Sequence, residues 1–198
     1  MSQFRRLRHG VAVVIMAGIA ALASGCAFRG DLVAHDLPPE RAAYTLEVET
    51  DGVTTVWKYT TQRPQESKTL QRCLAAALGN PDAPPCAPEP LIFLRYQLGL
   101  DLDDTVPARQ PHQISVTGYY QPQPGVVPTV SSMTVQASFD GGTTWKPMET
   151  RAAEGANTFT ATIAHPADAT GGVALRVSAS DSGGNSVVQT IPTAYRLK

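Results

Sequence analysis

Little in this 198-residue chain is charged or sulfur-bearing, and each shortage excludes something. Only 17% of residues are Asp, Glu, Lys or Arg against 42% apolar, so the chain is not of the polar, self-repelling kind that stays unfolded. Three cysteines are too few to build a small disulfide scaffold. The longest apolar run, residues 11–23, is short for a bilayer span. There is no G-x-S-x-G elbow, no H-E-x-x-H and no paired metal-ligand motif, and no convincing catalytic constellation. The net charge of −1 leaves no electrostatic footprint for nucleic acid. Gly and Pro, 16 of each, are plentiful, and so many turn formers disfavour a helical bundle.

The first 26 residues read as an address and an anchor. Arg5, Arg6 and Arg8 form a basic start without acids, and residues 11–23 match the apolar centre of an export leader. Leu22-Ala23-Ser24-Gly25-Cys26 resembles the bacterial lipobox, in which small residues precede a cysteine that is lipidated through its thiol and becomes the new N-terminus. Ala23 departs from that pattern, because Leu is commoner three places before the cysteine; Leu22 lies one place further upstream. The expectation is a lipoprotein signal peptide over residues 1–25 and an anchor at Cys26 on the outer face of the cytoplasmic membrane. Each buried CH₂ of the two acyl chains contributes roughly 0.8 kcal/mol, enough for stable attachment. Ordinary cleavage near Ala23 or Ala27 would instead release a secreted protein. Taking the three leader arginines from 16 bases leaves 13 against 17 acids, a net −4 for the processed chain.

Residues 26–40 show little periodicity, end near Pro38-Pro39, and read as a tether. Cys73 and Cys86 are the remaining thiols; outside the cytoplasm such a pair oxidises, and bridging the loop between them is worth about 3 kcal/mol on the loop-entropy account. A redox or metal pair is the rival, which the spacing does not favour. Apolar residues at 70, 73, 74, 77 and 78 form the stripe of an amphipathic helix over residues 66–78, stopped by Gly79 and Asn80-Pro81.

Most of the rest alternates as strands do. Residues 44–49 and 54–60 flank Asp51-Gly52, a hairpin signal. Residues 91–96 and 112–119 follow, then an inward set of Met133, Val135, Ala137 and Phe139, then Phe159, Ala161 and Ile163. Val173, Leu175, Val177 and Ala179 come next, and the last run, 186–197, contains Pro192. The predicted class is mainly β. An immunoglobulin or fibronectin-III type antiparallel sandwich is expected over residues 109–198. Before it comes a smaller β-rich unit, residues 41–108, with one short helix. The proline-bearing stretch 105–111 divides them.

Several motifs have both a structural and a chemical reading. Ser138, Asp140, Gly142, Thr144 and Trp145 match the Asp-box pattern S-x-D-x-G-x-T-W, whose physics is a tight hairpin turn. Sialidase propellers carry repeated copies; this chain has one and no repeat at propeller spacing. Asp181, Gly184 and Asn185 in DSGGN form a turn between two strands, with a structural calcium ion as the sharper alternative. Asp101, Asp103 and Asp104 read as solvated loop acids, or as oxygens for a hard cation. His112 and His165 read as surface residues, and His35 falls in the tether. Tyr119-Tyr120 before Gln121-Pro122-Gln123-Pro124 could present a sticky loop or cover one end of the sandwich.

A family resemblance runs through these stretches. Residues 94–116, 131–148 and 171–198 resemble the C-terminal β-rich region of large secreted subtilisin-like serine peptidases of GC-rich Gram-positive bacteria. The closing pattern is the most telling: Ala174-Leu175-Arg176, Asp181, Gly184-Asn185, Gln189-Thr190 and Ala194-Tyr195. Residues 40–50 and 54–61 are similar to the strand pair that precedes it, and the helix and disulfide look like an insertion. Those peptidases keep their catalytic Asp, His and Ser in a separate upstream domain, so no catalytic residue is carried over. The resemblance implies an accessory module. The expected function is non-catalytic: a lipid-anchored protein that binds an envelope protein, a peptidase or wall polysaccharide. Inhibition or assistance of a secreted subtilisin-like peptidase is one alternative and a small hydrolase another. No cofactor is expected beyond the calcium alternative.

Overall fold

The computed structural model describes residues 12–17, 27–29, 32–70 and 72–198. In chain order the strands are β1 (Ala12–Ala17), β2 (Ala27–Arg29), β3 (Leu32–Ala34), β4 (Ala42–Thr50) and β5 (Val53–Thr61). The helical turn α1 (Leu74–Ala77) precedes β6 (Phe93–Gln97), β7 (Thr105–Val106) and β8 (His112–Tyr119). Then come β9 (Val130–Ser138), β10 (Lys146–Ala152), β11 (Thr158–Ile163), β12 (Gly171–Asp181) and β13 (Ser186–Leu197). The protein is mainly β. One curled sheet runs β1-β4-β5-β13-β12-β9-β10-β11-β8-β6, antiparallel except where the short β7 pairs parallel with β13. β2 and β3 pair with each other separately.

The hairpins form where turn chemistry demands them. Asp51 and Gly52 both take positive φ, 51° and 79°, the pair that a two-residue type I′ turn requires, and Thr50 closes on Val53. Alternation then sets the faces. Thr55, Trp57 and Tyr59 of β5 are buried, as are Met133, Val135 and Ala137 of β9 and Val173, Leu175, Val177 and Ala179 of β12. Ile114 and Val116 of β8 and Ala161 and Ile163 of β11 come from the other end of the sheet to the same core. Each such branched side chain contributes roughly 1.5–3 kcal/mol by leaving water. β10 makes the curl: residues 146–148 pair with β9, and residues 149–152 pair with β11. Gly118 packs against Val130, and a Cβ there would stand 2.8 Å from Val130 Cγ2.

Pro192 does not end β13. It falls where β12 and β13 change register between Val173 and Leu175, past the last β5 pair at Thr190 and before the β7 pair at Arg196. A residue without an N–H is tolerated where the ladder is already interrupted.

Five expectations can be set beside the structure. The helix expected over residues 66–78 is a single turn, Leu74–Ala77. Leu70 and Leu78 are 69% and 64% exposed, so the two ends of the apolar stripe find no surface to cover, and a short isolated helix does not pay for its own nucleation. Its end is as expected: Gly79 N–H donates to Ala76 O and Asn80 N–H to Ala75 O, with Gly79 at φ 91°, a Schellman cap. The Cys73–Cys86 disulfide is present, with the Cα atoms 5.7 Å apart. The stretch expected as a tether contains the β2–β3 hairpin, and its last part is docked. Leu37 is buried, and Arg63 donates from Nε to Leu37 O and from its backbone N–H to Pro38 O. Within the expected leader, residues 12–17 form β1 on the edge of β4, while the cleavage point and Cys26 lie outside the described residues. The ladders β5–β13 and β6–β8 cross the boundary expected at 108–109 and tie both sides into one sheet.

Candidate functional site

The Asp-box forms the turn between β9 and β10. Gly141 and Gly142 take φ of 70° and 89°, which lets the chain reverse over the buried Ser138. Ser138 Oγ donates to Asp140 Oδ1 at 2.7 Å and accepts Gly142 N–H at 2.8 Å. Asp140 also accepts the Thr144 N–H at 2.9 Å and the Thr144 hydroxyl at 2.6 Å. The Thr144 hydroxyl, its amide and the Ser138 hydroxyl hold the carboxyl down to about 2, so it is ionised throughout the useful pH range. The Arg176 guanidinium covers the Trp145 ring at 4.1 Å from its centroid. Beside this turn lies an open, mostly polar hollow of about 260 Å³. Phe139, Asp140, Thr144 and Lys146 line one side, and Pro166, Asp168 and Thr170 the other.

DSGGN closes the β12–β13 hairpin as a buried knot. Asp181 Oδ1 accepts the N–H groups of Gly183 and Asn185, each at 2.8 Å. Its Oδ2 accepts Asn185 Nδ2 at 2.8 Å and the Tyr120 hydroxyl at 3.0 Å. Asn185 in turn accepts the Thr60 N–H of β5 at 3.3 Å. Four protein donors occupy the carboxylate that the calcium reading would use, and Gly184 takes the positive φ that the turn needs. The acids 101–104 serve the chain end: Lys198 Nζ lies 2.8 Å from Asp101 and 3.6 Å from Asp103, and Thr105 donates to Asp103. Among the described residues no group of three or more His, Cys, Asp or Glu is placed to hold a metal ion.

The histidines are less exposed than their sequence positions imply. His112 and His165 are half-buried, with their rings stacked 6.2 Å apart and Tyr195 edge-on to both. His112 Nε2 meets Leu98 O at 2.6 Å, and His165 Nε2 meets the Tyr195 hydroxyl at 3.0 Å. Burial, then the neighbouring His112, lowers the pKa of His165. Their surface reading is therefore corrected: β13 returns Tyr195 under a loop that sequence spacing leaves free. Tyr119 and Tyr120 are likewise engaged. Tyr119 packs on Phe93 with Arg95 over its ring, and Tyr120 reaches the Asp181 knot.

One pair escaped sequence reasoning altogether. His35 Nε2 lies 3.5 Å from Glu89 Oε1, and both side chains are less than a fifth exposed. Burial pushes the Glu89 carboxyl up to about 7 against the Thr61 hydrogen bond that lowers it, and burial lowers the pKa of His35. The Tyr44 and Tyr59 hydroxyls are pushed up by burial and by Glu89. Nothing in the sequence around Glu89 marks it, because residues 54 apart meet only through the docking of the strap at 35–40.

The remaining candidate surface is backbone. β4 pairs with β5 on one side and carries β1 on the other. Its inner face is Tyr44, Leu46 and Val48, and its outer face carries Glu47 and Glu49, both exposed. With these surfaces in view, comparison with protein-family models, curated proteins and solved structures gives no match.

Proposed function

We propose that the protein is a non-catalytic, lipid-anchored binding module on the outer face of the cytoplasmic membrane. The observation that carries the reading is the arginine-led apolar run that ends in Leu22-Ala23-Ser24-Gly25-Cys26. The docked strap supports it. With Leu37 fixed on the body, at most eleven residues separate the anchor from the fold, about 40 Å when fully extended. A body held that close meets envelope proteins, wall polysaccharide or a peptidase rather than distant soluble partners. The polar residues that might suggest chemistry are occupied in turns: Asp140 and Asp181 by their own loops, and His112 and His165 by Leu98 and Tyr195.

In this reading residues 109–198 form an antiparallel sandwich of immunoglobulin or fibronectin-III type. The switch of β10 from β9 at residues 146–148 to β11 at residues 149–152 supports that closure. Replacing Cys26 by Ser in an exporting host is expected to move the protein from the membrane fraction to the medium. Unchanged fractionation overturns the anchor. A second reading, an accessory partner or inhibitor of a secreted subtilisin-like peptidase, is favoured by the resemblance of the β12–β13 residues to such enzymes' own tails. Crosslinking in intact cells distinguishes the two: a subtilase captured on the protein favours the second, and wall glycan or another envelope protein favours the first.

A further inference from the structure

The edge of β4 is a place where another strand is already seen to dock. In a type I′ hairpin the closing pair, Thr50 and Val53, faces each other with both peptide groups. Counting back in twos, residues 48, 46 and 44 aim their peptide groups at β5, and residues 49, 47, 45 and 43 aim theirs away from it. β1 takes up this outward set, with Ala12 opposite Glu49, Val14 opposite Glu47 and Met16 opposite Thr45. Six residues of the leader region thus satisfy an edge that would otherwise be an open row of donors and acceptors.

We infer that when residues 1–25 are removed this edge pairs with the same edge of a second copy, β4 against β4, about a two-fold axis through Leu46. The processing step rests on the proposed function; the pairing itself follows from β4. A strand that meets its own copy antiparallel must be complementary to itself. Centred on Leu46, Thr45 faces the second copy's Glu47, Ala43 faces its Glu49, and Tyr44 faces its Val48. No acid stands opposite an acid, and the inner faces join as one apolar row. The centre is a pair whose peptide groups do not bond each other, and residues 45 with 47 and 43 with 49 exchange the hydrogen bonds, which is the set that β1 uses.

Charge supplies a second argument. Lys58 is exposed and sits opposite Thr45 in the β4–β5 ladder. In the two-fold arrangement the second copy's Glu47 lies just beyond Thr45 on the same face. Lys58 and that Glu47 are then two strands apart, about 10 Å between backbones, with only a small Thr between them. Their two side chains span that gap. The symmetry makes this contact twice. Among the described residues neither Lys58 nor Glu47 has an ion-pair partner within its own chain. An unrelated strand would have to bring its own cation for Glu47; a second copy has one in place.

The test is made on the full chain with a protease site placed at residues 30–31, so that the leader can be removed whatever the natural processing. Sedimentation before cutting is expected to show a monomer, because β1 holds the edge, and after cutting a dimer. Glu47→Lys and Lys58→Glu each are expected to weaken the cut dimer by about threefold or more, and the double exchange to restore it. Leu46→Cys is expected to give a disulfide-linked dimer on oxidation, because facing residues at such a centre lie about 4.5 Å apart at Cα. A cut chain that stays monomeric overturns the inference, as does a dimer indifferent to both charge reversals. So does a dimer formed equally well before cutting. The mass of the N-terminus in an exporting host is read separately: a retained leader there defeats the anchoring reading and leaves the sedimentation result standing.

Discussion

Burial takes the carboxyl of Glu89 out of water and raises its pKa, with only the Thr61 hydrogen bond opposing, and that titration is the residue's signature. In the unfolded chain it titrates near 4.5, and folded it titrates at about 7. Below 4.5 both states hold the proton and burial is not penalised. As pH rises through 7 the folded state must carry a buried charge, and the stability present at low pH is lost across that window. His35 works in the opposite sense: its lowered pKa favours the neutral ring, so its contribution is present above 6.5 and drains as pH falls. Glu89→Gln keeps the shape and the acceptor for Thr61 but cannot ionise. It is expected to raise stability at pH 8 by about 1–3 kcal/mol and to leave it within about 0.5 kcal/mol at pH 4, as urea unfolding at the two pH values would show. Asp181 is the contrast, a buried carboxylate with four donors. Its role was legible, because Asp, Gly and Asn in that order write a turn. Glu89 was not, because its partner arrives from residue 35.

Among the elements, the hairpins follow the sequence closely and the helix does not. Asp51-Gly52 and the alternation on either side suffice for β4 and β5, since a type I′ turn and period-two burial are local instructions. The helical stripe at 70–78 is equally regular, yet a helix needs a surface to cover, and none meets Leu70 or Leu78. What holds that segment is covalent. The disulfide closes the loop, and the Lys68 N–H donates to Cys86 O at 2.9 Å across it. Replacing Cys73 and Cys86 by Ser is expected to cost about 2–3 kcal/mol in urea unfolding. Hydrogen exchange is expected to show amides 77–80 losing protection before those of β12.

At the scale of the molecule, the first and second halves of the chain build one sheet. β5 lies on β13 with Trp57 opposite Val187, and β6 lies on β8 with Tyr96 opposite Val116. Trp57 also donates from Nε1 to Ile92 O at 2.8 Å, fastening the strand before the disulfide loop to the strand after it. Residues 109–198 alone would expose the β13 edge and uncover Val187 and Val116, each 1% accessible in the whole chain. That fragment is expected to lose near-UV circular dichroism and to aggregate on gel filtration. A monomer unfolding as cooperatively as the whole chain would make it an independent domain after all.

The sequence by itself determined eight of the strands, β4–β6, β8, β9 and β11–β13, together with their inward faces, the Asp51-Gly52, Asp-box and DSGGN turns, and the cysteine pair, because each is written in residues close together along the chain; it left β1–β3, β7 and β10 unread. Only the tertiary structure decided that the amphipathic stripe shrinks to one turn, that His35 meets Glu89, that Tyr195 closes over His112 and His165, and that the strap at 35–40 is docked. Those outcomes depend on which surfaces come to face one another, and a surface exists only after the sheet has curled.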